Sequence, residues 1–260
     1  MIHLSFPIEE LEYFLLIMTR ITCFIMVAPF FSIGNVPARV KIGMGFFISL
    51  LIYYATMPHN YPAYATFLEM ATLILKEASV GLLLGFATDM CGRIVMFSGH
   101  VVDMEMGLAM ANQFDPITKE NTTITGMLYH NMLMLLLIIS GMYRYFVSAL
   151  TETFQLIPVG EVIFHLDHLL QTMITYLGEF MLLGMRIALP VYCTIMLLNA
   201  VLGILAKVAP QMNMFAVGIQ LKVFTGLSVL FLTIGLLPRV SDLIFEQMKR
   251  VMVSFVGGMM

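Results

Sequence analysis

The chain has 260 residues, of which 60% are hydrophobic and 11% are charged, and its mean hydropathy is +0.94. Soluble domains carry about 25% charged residues, and a soluble fold of this size has no interior for so many apolar side chains, so a soluble fold is excluded. The net charge of −3 is too small to indicate a nucleic acid or another strongly charged partner. The composition predicts an all-α polytopic membrane protein.

A helix needs about 20 apolar residues to cross a bilayer, and seven apolar segments are candidates for such spans, although the sixth is too long for one simple span. In chain order they are 11–31, 42–57, 67–90, 95–112, 124–142, 169–205 and 217–237. The sixth segment contains Pro190, which predicts a bent helix or two pieces because proline removes an internal hydrogen bond. The residues after Pro238 mix charged and apolar side chains, which predicts an amphipathic terminal helix.

The third segment and the residues just after it carry small and charged residues at every fourth position. These residues are Gly81, Gly85, Asp89 and Arg93, and their spacing places them on one helix face. Small residues allow a second backbone to approach closely, and an acid with a base four residues later can form an ion pair. The face is predicted to contact protein, and packing within the chain and contact with another subunit are both open.

The stretch 95–116 is apolar but contains several acids. At every fourth position it carries small or acidic residues, namely Gly99, Asp103, Gly107, Ala111 and Asp115. Acidic side chains cannot face lipid without a large cost in free energy. This stretch, which also includes Glu105, is therefore predicted to pack against protein or to line a wet cavity.

Motifs for common chemistry are missing from the sequence. It contains no GxxxxGK[ST] or GxGxxG loop and no HExxH or CxxC pattern. The pair His165 and His168 resembles a solvated surface pair more than a metal site. We therefore expect no cofactor, no metal ion and no enzymatic activity.

A polar turn lies between the last two apolar segments. Its residues are Lys207, Pro210, Gln211 and Asn213, and Lys222 follows within the next segment. The turn is either a simple loop with lysines that extend towards water or a polar tip that meets partner subunits.

Three groups of motifs, taken together and in order, resemble the FliR family of flagellar type III export-gate membrane proteins, which has related virulence secretion counterparts. The resemblance covers about residues 11–250. The first group is Arg20, Pro29-Phe30-Phe31 and Val36-Pro37 followed by Val40-Lys41. The second is Gly99, Asp103, Gly107, Ala111 and Asp115-Pro116, and the third is Pro210-Gln211-Met212-Asn213-Met214-Phe215 with Gly218.

The resemblance implies bent helical hairpins that pack in a helical hetero-oligomer in the bacterial inner membrane, within the flagellar basal body. The implied partners are FliP-like and FliQ-like gate subunits, an FlhB-like switch protein and an FlhA-like export component, with unfolded flagellar proteins in transit. Residues 1–168 would pack like FliP and carry a plug-like loop, and residues 169–260 would form a FliQ-like hairpin. Several apolar segments would then bury against sister subunits instead of crossing lipid.

The resemblance also implies roles for individual residues. The plug or gate loop corresponds to Met106, Gly107, Met110, Ala111, Phe114, Asp115 and Pro116. Apart from the resemblance, the residue patterns themselves give packing or subunit-contact positions, which are Gly81, Gly85, Asp89, Arg93, Gly99, Asp103, Glu105 and Arg186. The hairpin tip consists of Lys207, Pro210, Gln211 and Asn213, together with Lys222.

Two other functions remain open at this point. A secondary transporter or ion channel would use Asp89, Asp103, Glu105 and Arg186 as coupling or selectivity groups. It would need internal repeats or a substrate site within one chain, and no convincing inverted repeat is present. An intramembrane enzyme is the third hypothesis, and no acid–base pair has a recognisable spacing.

Overall fold

The computed structural model describes residues 8–29, 31, 36–57, 61–62, 64, 66–108, 123–209, 211 and 213–260. Within these ranges the regular structure is helical, without any strand, which confirms the all-α prediction. The helices are α1 (Ile8–Val27), α2 (Ala38–Ala55), α3 (Phe67–Met106), α4 (Ile124–Ile139), α5 (Met142–Leu156), α6 (Leu166–Val208), α7 (Met214–Thr233) and α8 (Leu237–Gly257). A short 3-10 helix, Ile234–Leu236, lies between α7 and α8.

The seven candidate segments do not form seven separate spanning helices. By length and composition, four helical stretches of the described chain could cross a membrane, and the bent pair of α4 and α5 would make a fifth. The four are Ala38–Ala55, Phe67–Met106, Leu166–Val208 and Ala216–Gly257. Helix α1 is not among them because it carries three glutamates near its start and a buried arginine, Arg20.

The predicted third and fourth segments form the single helix α3, of 40 residues. Helix α6 is also continuous, with 43 residues, although Pro190 lies inside it. The proline therefore does not divide the segment into two pieces. At about 1.5 Å per residue these helices extend about 60 and 65 Å, roughly twice the thickness of a bilayer's hydrocarbon core.

The predicted amphipathic terminal helix is confirmed as α8. Its buried side chains recur at helical spacing, and the charged residues between them are exposed. The end of α8 is held by backbone hydrogen bonds, since the Ile163 and His165 amides donate to the carbonyls of Met259 (3.3 Å) and Gly258 (2.9 Å). The buried positions are Ser241, Ile244, Phe245, Gln247, Met248, Val251, Met252, Phe255 and Val256.

The chain divides into two compact units, each built from separate segments. The first unit comprises Met1–Cys91, Ser140–Tyr176 and Glu246–Met260, and the second comprises Gly92–Ile139 and Leu177–Phe245. In the first unit α1 buries one apolar face. The second unit has a core of Val102, Met106, Ala188, Val191 and Ile195. The predicted division at residue 168, which rests on likeness to sister subunits, stays a prediction.

Candidate functional site

A buried ion pair joins α1 to α3 in the first unit. The Arg20 Nε donates to Glu77 Oε2 at 2.6 Å, and both side chains are completely buried. A charged group in an apolar interior is stable only when it is paired and hydrogen-bonded. The pair therefore requires further partners, and two other parts of the same unit supply them.

Arg20 also binds the end of α5. Its Nη1 donates to the carbonyl oxygens of Thr153 (3.3 Å) and Ile157 (3.2 Å), and its guanidinium lies 4.3 Å from the centre of the Phe154 ring. The Thr153 carbonyl also accepts the Ile157 amide at 2.8 Å, whereas the Ile157 carbonyl lies just beyond the last residue of α5, and a cation at this end is favoured by the helix dipole. Arg20 therefore fixes the end of α5 against α1.

Glu77 completes the network with its second oxygen. Its Oε1 accepts a hydrogen bond from the Gly160 amide at 2.9 Å. Sequence reasoning placed Glu77 in an apolar segment and Arg20 in a family motif, but it did not pair them. The available signal was that Arg20 is a lone base within an apolar helix, which must find a partner in the folded protein.

The face predicted from Gly81 and Gly85 packs against α1. A Cβ at Gly81 would overlap the carbonyl oxygen of Arg20, and one at Gly85 would lie 2.9 Å from the carbonyl oxygen of Phe24. The glycines therefore let α3 approach the backbone of α1 closely. Further along the same helix, Asp89 is half-buried and Arg93 is exposed. A role of this face in subunit contact stays a prediction.

In the second unit, Asp103 of α3 binds the first turn of α4. Its Oδ2 accepts the backbone N–H of Thr125 at 3.1 Å, and its Oδ1 accepts the Thr125 hydroxyl. Asp103 is completely buried. The first amides of a helix have no partner within the helix, so a carboxylate at this position satisfies one of them and interacts favourably with the helix dipole.

Gly99 lies one turn before Asp103 on α3. It contacts α4 at Gly126, the residue after Thr125. A Cβ on Gly99 would overlap the backbone of Gly126, and a Cβ on Gly126 would collide with the Thr123 hydroxyl and lie 3.1 Å from the Met96 carbonyl oxygen. The two helices thus meet backbone to backbone. Sequence reasoning marked Gly99 and Asp103 as packing residues but did not identify Thr125 and Gly126 as their partners.

A second feature of the first unit is an acidic and aromatic cleft of about 380 Å³ at the start of α1. The Tyr64 hydroxyl donates to the Glu12 carboxylate, and this hydrogen bond raises the pKa of the Tyr64 phenol. Burial raises the pKa of Tyr13, another residue of the cleft. Both phenols are therefore neutral at physiological pH and can serve as hydrogen-bond donors.

Met106, the last residue of α3, is a core residue of the second unit. Its side chain is completely buried, and it occupies the space that a Cβ on Gly226 of α7 would need. The resemblance implied that Met106 adds bulk to a plug loop. Because its side chain fills the core, Met106 has no bulk to contribute to a plug in this arrangement.

Replacing Met106 with alanine is expected to lower the free energy of unfolding by about 2–5 kcal/mol, because it leaves a cavity in the core. The thermal midpoint of the purified protein in mild detergent measures this effect. Met104→Ala is the matched control, since Met104 lies two residues earlier on α3 and is 59% exposed. Equal midpoints for the two variants would contradict the core role of Met106.

Comparison with known proteins identifies the family. Residues 11–248 match the family described as "Bacterial export proteins, family 1". The chain belongs to this family. The flagellar biosynthetic protein FliR of Escherichia coli (strain K12) is 25% identical to it over 92% of this chain and 90% of that protein. The FliR proteins of Bacillus subtilis (strain 168) and Aquifex aeolicus (strain VF5) are each 27% identical, over 96% and 95% of this chain and 98% and 95% of their own lengths. These matches confirm the predicted resemblance.

In this FliR-family chain, most predicted plug residues lie outside the described residues. Gly107 is described, and its φ of +81° follows the end of α3, as is usual for a glycine that terminates a helix. Glu105 is half-buried in the last turn of α3, and Arg186 is exposed on α6. The residues outside the described ranges are Met110, Ala111, Phe114, Asp115 and Pro116.

The predicted hairpin tip of the FliR-family chain lies between α6 and α7. Lys207 and Gln211 are exposed, Lys222 is half-buried, and Pro210 lies outside the described residues. Asn213 caps α7, because its side-chain oxygen accepts the Ala216 amide at 3.4 Å. Asn213 thus has a structural role in starting α7. Contact of the tip with partner subunits stays a prediction.

No group of three His, Cys, Asp or Glu side chains suited to a metal ion occurs among the residues that the structure describes. His165 and His168 are both exposed near the start of α6. The contacts described above involve hydrogen bonds, one ion pair and close backbone packing. They can hold helices in position and keep polar groups within an apolar protein.

Proposed function

We propose that the chain is a structural and gating subunit of the flagellar type III protein-export channel in the bacterial inner membrane. Its membership of the export family and the flagellar names of its relatives support this function. Among the structural observations, the apolar surface of the long helices supports it best. Only 17% of the most apolar part of α6 is buried within the chain, and only 6% of that part of Ala216–Gly257.

The length of this apolar surface favours an assembly over a single membrane protein. A bilayer covers about 20 residues of a helix, whereas α3 and α6 have 40 and 43 residues. Apolar surface beyond the bilayer must be covered by protein, because large exposed apolar patches are rare in stable soluble surfaces. FliP-like and FliQ-like subunits are the proposed cover, with an FlhB-like switch protein and an FlhA-like export component as further partners.

The proposed role is not enzymatic. The chain would form part of the passage for unfolded flagellar proteins, and the energy for transport would come from other components of the apparatus. The buried Arg20–Glu77 network and the contact of Asp103 with α4 support a structural role for these buried charges, since each is engaged with backbone groups of its own unit.

A pull-down in mild detergent tests this proposal. The tagged chain, expressed with the other export components, is purified, and the mass of the intact complex is determined. We expect a large assembly of fixed stoichiometry that contains several copies of small apolar partners. A lone monomer or homodimer would contradict the proposal, and solute uptake by the purified chain alone in liposomes would favour the transporter hypothesis.

The plug role, proposed for Met110 and Phe114, gives a separate prediction. Replacing both with alanine should raise the permeability of the closed assembly to small ions several-fold, because less apolar bulk would remain to block the passage. Ion flux across membranes containing the complete complex measures this. The control replaces the exposed Met127 and Phe224 with alanine. Equal ion permeability of the two double variants would argue against the plug role.

A further inference from the structure

The junction of α3 and α4, defined here as Gly99, Asp103, Thr125 and Gly126, has an arrangement that packing alone does not require. The close approach of Gly99 to Gly126 already holds the two helices together. One turn further along α3, Asp103 adds a completely buried carboxylate with both oxygens directed at Thr125. Burying a carboxylate is costly, so this acid is expected to do something that an apolar residue could not do.

Directional hydrogen bonding distinguishes the carboxylate from an apolar residue at this position. An apolar side chain would allow α4 to slide or rotate against α3. Two hydrogen bonds to one residue instead define the position of the first turn of α4 along α3 and its rotation about its own axis. Thr125 is the second residue of α4, so the bonds act where the helix begins. Asp103 lies three residues before the last residue of α3.

We infer that Asp103 is a positioning residue of the export channel, which sets the start of α4 relative to the end of α3 and thereby keeps the closed channel tight. This inference rests on the proposed function. Asp103 acts through Thr125 and does not contact the exported protein. The positioning effect of Asp103 depends on the geometry of the two hydrogen bonds and not on its charge. A neutral side chain of the same shape can therefore provide the same geometry.

The transporter hypothesis assigns a different role to the same carboxylate and makes opposite predictions. A coupling group must gain and lose a proton, so Asp103→Asn would abolish its function. In a positioning role, the asparagine oxygen still accepts the Thr125 amide, and its NH₂ group donates to the Thr125 hydroxyl. Asp103→Asn should then leave the closed channel nearly as tight as the unmodified one.

The experiment compares four variants in membranes that contain the complete export complex, with ion flux as the readout. Thr125→Ser and Asp103→Asn keep both hydrogen bonds and should be as tight as the unmodified protein. Thr125→Val removes only the hydroxyl bond and should raise the flux about fivefold, the shift of a closed–open equilibrium expected for one lost hydrogen bond. Asp103→Ala removes both bonds and should raise it further.

Glu69→Gln is the control, because Glu69 is an exposed acid on the same helix and belongs to none of the predicted contact or gate positions. It should not change the ion flux. The mass of the purified complex is measured for every variant, since a purely structural role would reduce assembly and leave the flux per complex unchanged. If Asp103→Ala does not assemble, Thr125→Val decides the question, because it alters one buried hydroxyl and retains the shape of the side chain.

An unchanged ion flux with Thr125→Val, or a strongly raised ion flux with Asp103→Asn, would overturn the inference. The Met110 and Phe114 double variant separates this failure from failure of the proposed function. If that variant leaks while the Thr125 and Asp103 variants remain tight, the positioning role is wrong and the gating function stands. If no variant leaks and no large assembly is isolated, the proposed function itself is wrong.

Discussion

Replacing Glu77 with alanine is expected to destabilise the protein by about 3–5 kcal/mol, because it leaves the completely buried Arg20 without its counter-ion. The same change removes the acceptor of the Gly160 amide. A buried charge and a buried amide would both lose a partner, and each loss has a cost in free energy. The thermal midpoint of the purified complex and the amount of folded chain in membranes should both fall.

Two further variants make this prediction specific. Glu69→Ala on the same helix should change stability by no more than about 0.5 kcal/mol, because Glu69 is exposed. The double variant Arg20→Met and Glu77→Leu should recover much of the loss, since apolar residues of similar volume can replace a buried ion pair without an unpaired charge. If Glu77→Ala is as stable as Glu69→Ala, the network does not stabilise the first unit.

The second large effect is expected at Gly99. Alanine at this position should destabilise the protein by about 3 kcal/mol, the upper end of the range for overpacking, because the new methyl group meets backbone atoms of Gly126. A side chain could rotate away, but a backbone held in α4 cannot. The helices would have to separate, and the hydrogen bonds between Asp103 and Thr125 would lengthen with them.

The chain provides matched controls for the Gly99 variant. Gly178 and Gly203 lie within α6, and a Cβ at either position would meet no atom within 4 Å. Alanine there should stabilise the helix by about 0.5–1 kcal/mol, because glycine is a poor helix former. Opposite signs for Gly99→Ala and Gly178→Ala in the thermal midpoint are the expected result. A neutral Gly99→Ala would contradict the close backbone contact.

The two buried contacts suggest a common role for the buried charges. Arg20 and Glu77 bind backbone groups at the end of α5 and at Gly160, and Asp103 binds the backbone at the start of α4. In each case a charged side chain satisfies the backbone near a helix end. Polar backbone groups that face no water need such partners, which accounts for these three buried charges in an apolar chain.

Several properties could be predicted from the sequence because they depend on composition or on local pattern. The scarcity of charged residues indicated a membrane protein, and the motifs around Asp103 and Pro210 indicated the family. The alternation of charged and apolar residues after Pro238 predicted the amphipathic α8. These properties need no knowledge of which helices are neighbours.

The seven candidate segments do not form seven separate helices, for a physical reason. Residues 91–94 separate the third and fourth candidate segments, but a helix continues through the single glycine among them, Gly92, at a cost of only about 1 kcal/mol. Packing along α3 can offset that cost. Pro190 likewise lies within the continuous helix α6. Local signals for a break are weak compared with the packing of a long helix.

The sequence by itself determined that this protein is helical, is apolar enough for a membrane and belongs to an export family. Only the tertiary structure decided that Arg20 pairs with Glu77, 57 residues away, and that Asp103 binds Thr125, 22 residues away. The reason is that helical periodicity defines which residues share a face, whereas the partner of that face depends on which helices become neighbours. That choice is made by packing and by the need to satisfy buried charges across the whole fold.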